Sequence, residues 1–295
     1  MSRNVLQQIR SAISTLNPNE VREIAERPVS VGLAASGSAG YAAMEDFFSP
    51  GSLSADKRWT SVQILHRTSD ASPGEQYDLL IYEQGMQPPP NGGQRKAFPF
   101  YYARPERTVQ EILEAREDLG LPLARHFTPF RQAVAARVVT TVAKENALFS
   151  LATALPNLIP GFSVPWAAGE FASDTTVLTV NQIRMAFLLA GASDRDIGFR
   201  EQKAEIGGII AGAFGWRSLA RNLVGKLPLG GGIIPKGAIA YAGTWVIGQS
   251  IERVYRIGYG MTRQERRAAY EEAFERGKGV ASALLENLRR RAAEG

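Results

Sequence analysis

The sequence predicts a small N-terminal α/β domain followed by an all-α C-terminal helical bundle. Three observations carry this. Val29 to Ala35, Ser36-Gly-Ser-Ala-Gly40 and Tyr41 to Phe48 read as strand, glycine turn and helix, the opening of an α/β unit. From Phe130 the apolar spacing becomes helical and stays so. Asn146 to Gly169 then carries no charge but holds Pro156, Pro160 and Pro165. Each proline lacks an amide hydrogen and clashes with the preceding turn, so this stretch reads as helix end, buried apolar turn and new helix.

Composition removes several chemistries. The chain has 295 residues and is 44% hydrophobic, enough for a sizeable core. With no cysteine there is no disulfide, thiol nucleophile or Cys-type zinc site. His66 and His126 are the only histidines, too few for a His-rich metal site. A net charge of +5, spread over scattered arginines, describes a solvated surface rather than a nucleic-acid footprint. The first ten residues read as an amphipathic helix start without the apolar core of a signal peptide, which places the chain at the cytoplasm.

Taken in order, Val5, Ile9, Ile13 and Leu16 have helical spacing that Asn17-Pro18 breaks, and Glu20 to Glu26 forms a second short helix. After the glycine turn and its helix, strands are expected at Trp59–Leu65, Tyr77–Tyr82, Phe98–Tyr102 and Leu121–Ala124, about five in all with the first. The proline- and glycine-rich Gln87–Gly93 reads as a loop. Thr108-x-x-Glu111 and Thr262-x-x-Glu265 both read as capping boxes. Beyond a linker near Arg125–Pro129, long helices are expected from Phe130, from Trp166 to Leu189, from Phe199, from Pro235 to Ile257 and from Thr262 to about Arg291. The organisation is thus 1–27 N-terminal helices, 28–127 α/β domain, 128–260 helical domain and 261–295 charged helix.

Gly32-x-x-x-x-Gly37 has the strand-then-helix setting of a phosphate loop. Such a loop needs Lys next, for the β/γ-phosphates, and then Ser or Thr for magnesium. Ser38 and Ala39 stand there instead. Tyr77–Tyr82 runs into Glu83-Gln84-Gly85 where Asp-x-x-Gly is needed, and none of the seven lysines follows Asn or Thr in a guanine-reading motif. Gly32, Ser36, Gly37 and Ser38 therefore form at most a vestigial phosphate loop, and no cofactor is expected. Ser36-Gly-Ser38-Ala-Gly40 also approaches the Gly-x-Ser-x-Gly elbow, with Asp78 and His126 following in hydrolase order. The elbow mismatches at Ser36 and follows the first strand rather than an established sheet. His126, beside Phe127, reads as a packing residue.

In the helical half, Glu170, Asp174, Asn181 and Arg184 recur along one face of an otherwise apolar helix. They read as a structural polar face whose partners come from other helices, with Arg200, Lys203, Arg217 and Arg221 as candidates.

Leu155-Pro-Asn-Leu-Ile-Pro160, Asn181-Gln-Ile-Arg-Met185, the glycine-rich Ile206–Trp216, Gly230-Gly-Gly232 and Lys236-Gly-Ala-Ile-Ala-Tyr-Ala-Gly243 resemble the helical domain of the YcjF-like family, domain of unknown function 697. The resemblance covers about residues 130–258. In bacteria that domain commonly follows a Ras-like GTPase domain or lies in membrane proteins. The resemblance implies a GTPase-like, degenerate N-terminal domain that lacks nucleotide chemistry.

No window is long, unbroken and uncharged at once. Ile206–Trp216 makes roughly 16 Å of helix and a span needs about 30 Å. Small residues spaced along the later helices suit close helix–helix approach instead. The expectation is a non-enzymatic binding protein with an unidentified protein partner and no nucleic acid, cytoplasmic and at most peripheral to the inner membrane. The alternatives are an integral membrane protein of the YcjF-like family, with insertion at 147–166 or 227–251, and an NTPase or serine hydrolase centred on Gly32–Gly40.

Overall fold

The computed structural model describes residues 11–68, 77–88, 96–154, 174–211 and 232–294. Their elements are α1 (Pro18–Ala25), β1 (Val31–Ala34), α2 (Ser38–Phe48), α3 (Ala55–Ile64), β2 (Leu65–Arg67), β3 (Leu79–Glu83), β4 (Ala97–Phe100), α4 (Pro105–Ala115), a single 3-10 turn (Glu117–Leu119), α5 (Gly120–His126), α6 (Thr128–Ala152), α7 (Asp174–Ala192), α8 (203–211), α9 (Ile233–Ile257) and α10 (Arg263–Glu294). The proline turn at 155–166, Glu170 and the remainder of the glycine-rich helix beyond 211 lie outside the described residues.

Two units divide the chain. One takes Glu20–Ala135 with Gly191–Asp196; the other takes Met1–Asn19, Ala136–Ala190 and Ile197–Gly295. The first is the α/β unit. Its sheet has the order β2-β1-β3-β4, and every pair is parallel, with Val31 opposite both Leu65 and Leu79 and Ile81 opposite Phe98. Parallel strands are buried on both faces, which is why β1 and β3 are continuous apolar runs rather than alternating ones. Leu33, Leu79 and Ile81 are fully buried. Met44 and Phe48 of α2 and Ile112 of α4 are fully buried beside them, and Phe48 stacks on Phe130 at 6.0 Å and meets Phe127 edge-on at 5.4 Å.

Three local expectations are corrected. Trp59–Leu65 is not a strand: Ala55 to Ile64 is helix, and only Leu65–Arg67 joins the sheet. Asp56 in the first turn favours a helix start, and Trp59 and Val62 stand 68% and 45% exposed. Leu121–Ala124 is a buried helical segment of α5, the alternative that a short apolar run always leaves open. The sheet accordingly has four described strands. Thr108-x-x-Glu111 is no cap, because α4 already begins at Pro105, whose fixed φ suits a first helical position. Thr108 lies one turn in, where its hydroxyl accepts the Tyr101 N–H at 3.1 Å and donates to the Pro99 carbonyl at 2.9 Å. Between α5 and α6 only Phe127, fully buried, stands outside a helix, and the first unit continues past the expected linker at Arg125–Pro129 to Ala135.

The second unit is helical. Helices α9 and α10 form an antiparallel hairpin whose turn begins at Gly258, in the left-handed region at φ 86°. Close approach is set by small residues: a Cβ on Gly277 would lie 3.0 Å from the Ala238 carbonyl oxygen, and one on Gly237 would lie 3.1 Å from the Ala281 Cβ. Ala238, Ala242 and Val246 form one core cluster with Tyr270, Ala273 and Phe274. Helix α6 packs on the same α9 through Ala143, Ala147 and Tyr241. A Cβ on Gly248 would press to 2.6 Å from Val139 Cγ2 and 3.0 Å from Met185 Sδ. The Thr262 capping box is real: Thr262 N–H donates to Glu265 Oε2 at 2.7 Å and Glu265 N–H to Thr262 Oγ1 at 3.2 Å. No helix among the described residues is long and apolar enough to cross a membrane.

Candidate functional site

A doubly wound parallel sheet offers its ligand crevice at the carboxyl ends of the strands, where the strand order reverses. Here that is the end of β1 beside the end of β3, since β2 lies on one side of β1 and β3 on the other. Ala34 pairs with Tyr82, so Ser36 and Glu83 leave their strands side by side. Gly32 lies within β1, not in the turn. A Cβ there would come within 2.7 Å of the Tyr77 ring, so glycine at this position serves the packing of β1. Ser36 and Gly37 are exposed in the turn and Ser38 is exposed at the start of α2, which Gly37 caps without a side-chain bond.

Glu83 holds this turn. Its Oε2 accepts the Ser36 N–H at 2.7 Å and the Ser36 hydroxyl, and its Oε1 accepts the Tyr102 hydroxyl at 2.9 Å. A Cβ on Gly40 would stand 3.1 Å from the same carboxylate, which therefore lies against the first turn of α2. The Ser36 hydroxyl, the Ser36 N–H and then Tyr102 hold the Glu83 carboxyl below its usual range. Burial, followed by the bond to Glu83, pushes the Tyr102 phenol up to about 12. The sequence marked Glu83 only as a failed Asp-x-x-Gly. Its role depends on β3 lying next to β1, which no local pattern announces.

The hydrolase residues are not brought together. Asp78 precedes β3, at the opposite end of the strands from Ser38; it accepts the Ser30 N–H at 3.0 Å and pairs with Arg27 at 3.5 Å. His126 instead lines a separate cavity of about 280 Å³ with Lys57, Ser61, Arg125, Arg131 and Asp194. Asp194, at φ 55°, accepts from Lys57 Nζ at 2.8 Å and lies 3.5 Å from Arg131. The Ser61 hydroxyl donates to the His126 carbonyl at 3.1 Å. Burial first, and then the Arg125 charge, lower the His126 pKa. Nothing in the sequence spacing links Asp194 to Lys57 or Arg131, which lie far from it in the chain.

The polar face of the helical unit is divided. Glu170 and the side chain of Asp174 lie outside the described residues. Arg184 is exposed, and its charge works against the desolvation that raises the Glu145 carboxyl. Of the two described side chains, Asn181 is the one that enters the core. Its Nδ2 donates to Asn146 Oδ1 at 2.7 Å, and Asn146 Nδ2 donates to Thr244 Oγ1 at 2.8 Å. Gln182 Nε2 donates to the same Thr244 hydroxyl at 3.1 Å. All four side chains are buried. The sequence does not mark Asn146, Gln182 and Thr244 as one network with Asn181; an uncharged amide inside an apolar helix is the available signal.

No group of three or more His, Cys, Asp or Glu side chains among the described residues could hold a metal ion. No protein-family model, curated protein or solved structure matches the chain. The described residues form an α/β unit with a four-stranded parallel sheet, whose glycine turn is closed by a carboxylate, and a helical unit built on α9.

Proposed function

We propose that the protein acts by binding a protein partner, through an α/β unit of GTPase-like layout that takes no nucleotide and a helical unit of the YcjF-like kind. One observation carries this reading: the Glu83 carboxylate sits on the Ser36 N–H. A phosphate loop works because free N–H groups at a helix start face an open, positively polarised hollow. In this turn a negative side chain already takes the Ser36 donors, and Lys and Ser/Thr are replaced by Ser38 and Ala39. An incoming phosphate meets repulsion without a counter-charge. The exposed Trp59 and Val62, a turn apart on α3, supply apolar area of the kind a protein partner covers.

Thermal unfolding with GTP, ATP and their magnesium complexes tests the nucleotide half of the reading. An unchanged Tm is expected, and a rise of several degrees with either nucleotide overturns it. Affinity capture from cytosol and membrane fractions, run beside Trp59→Ser, tests the partner half, which requires that a retained protein be lost with the variant. The membrane role is peripheral in this reading. Protein that resists high salt and alkaline carbonate and leaves only with detergent sinks it in favour of an inserted hairpin.

A further inference from the structure

The helical unit contains a cavity of about 320 Å³ between α8 and α9, at the small end of the range for ligand sites. Ala204 and Gly208, one turn apart, form part of its α8 wall, and Val246, Ser250 and Val254 line it from one face of α9. Gly208 leaves part of that wall without a side chain: a Cβ there would meet nothing within 4 Å. Two polar atoms lack partners at this cavity. Glu205 Oε2 and Ser250 Oγ are closed to solvent and make no hydrogen bond. Arg266 also lines the cavity without bonding to that carboxyl oxygen. Orphaned buried acceptors are costly and call for an explanation.

We propose that this cavity binds a small primary ammonium compound with an apolar body, its ammonium group donating to Glu205 Oε2 and Ser250 Oγ and its hydrocarbon part lying on Ile247 and Val254. An ammonium has three donors and no acceptor, and it brings the charge that a half-buried carboxylate lacks. A neutral alcohol would satisfy one bond and leave the charge uncompensated. A carboxylate would be repelled. The site lies in the helical unit alone, so its failure leaves the reading of the glycine turn untouched.

Isothermal titration calorimetry on the full chain with phenethylamine, phenethyl alcohol and phenylpropionate decides it. The amine is expected to bind, the alcohol about tenfold or more weakly, and the acid not at all. Glu205→Gln keeps the shape and removes the charge, and should cost the amine about tenfold in affinity at unchanged Tm. Gly208→Leu grows into open space and should abolish binding of the amine. Equal affinity for amine and alcohol, full amine affinity in Glu205→Gln, or no binding of the amine up to millimolar concentration overturns the proposal. If Glu205→Gln does not fold, Ser250→Ala makes the same comparison, with a loss of amine affinity expected and an unaltered affinity overturning the site.

Discussion

Glu83 Oε2 lies 2.7 Å from the Ser36 backbone nitrogen, so the last residue of β3 anchors the first turn after β1. The bond joins residues 47 positions apart in the chain, and it uses the charged form of the carboxyl.

The pH dependence follows from that. The Glu83 carboxyl is held below its ordinary value, so its stabilisation is complete above the unfolded pKa of about 4.3. It disappears as the pH falls through the lower folded value. Melting curves of the native chain and Glu83→Gln should therefore diverge above about pH 4.3 and converge in stronger acid. A constant offset over the whole acid range would show that the carboxylate is not held by Ser36 and Tyr102.

His126 acts in the other window. Its pKa is lowered by burial and by Arg125, with Asp194 opposing, while Lys57 and Arg131 line the same cavity. The unfolded imidazole takes a proton near pH 6.5 and the folded one only at lower pH, so between those values stability rises with pH. The stabilisation present above about 6.5 is lost as the pH falls through the folded pKa. His126→Gln should flatten the Tm profile just below that value. NMR titration of the His126 ring in the folded chain checks the sign, and a midpoint at or above about 6.5 refutes it.

The buried amides give a coupling experiment. Asn146→Leu strands the Asn181 amide that it now satisfies, while Thr244 keeps its bond from Gln182, and should cost about 1 to 3 kcal/mol, the penalty of an unsatisfied buried polar group. Asn146→Leu with Asn181→Leu should cost clearly less than the sum of the singles. Additive losses in urea denaturation would mean the two side chains do not depend on each other.

Two glycines in neighbouring helices should respond with opposite sign. A Cβ on Gly248 meets Val139 at 2.6 Å and Met185 at 3.0 Å, so Gly248→Ala should destabilise by about 1 to 3 kcal/mol through overpacking. A Cβ on Gly207 in α8 meets nothing within 4 Å. Gly207→Ala should therefore stabilise by about 0.5 to 1 kcal/mol, because alanine loses less backbone freedom in a helix. The same sign at both positions would contradict the packing described for α9.

Much of this protein was determined by the sequence alone, wherever short-range chemistry decides. The change from α/β to helical spacing, the strand–turn–helix at Val31–Phe48, the α9 segment and the Thr262–Glu265 cap are all local, and all stand in the structure. Ambiguity began where a short apolar run suits two elements. Trp59–Leu65 and Leu121–Ala124 became mostly or wholly helix because neighbouring turns and burial decided, not the residues themselves. Tertiary structure alone decided the sites. Glu83 meets Ser36 only because β3 lies beside β1. Asp194 meets Lys57 only because Gly191–Asp196 belongs to the α/β unit. Asn146, Asn181 and Thr244 meet because α6, α7 and α9 bring positions up to 98 residues apart into one buried layer. Periodicity reports which face of an element is apolar. It does not report which polar atom of another element will stand opposite, because that depends on strand order and helix packing over the whole chain.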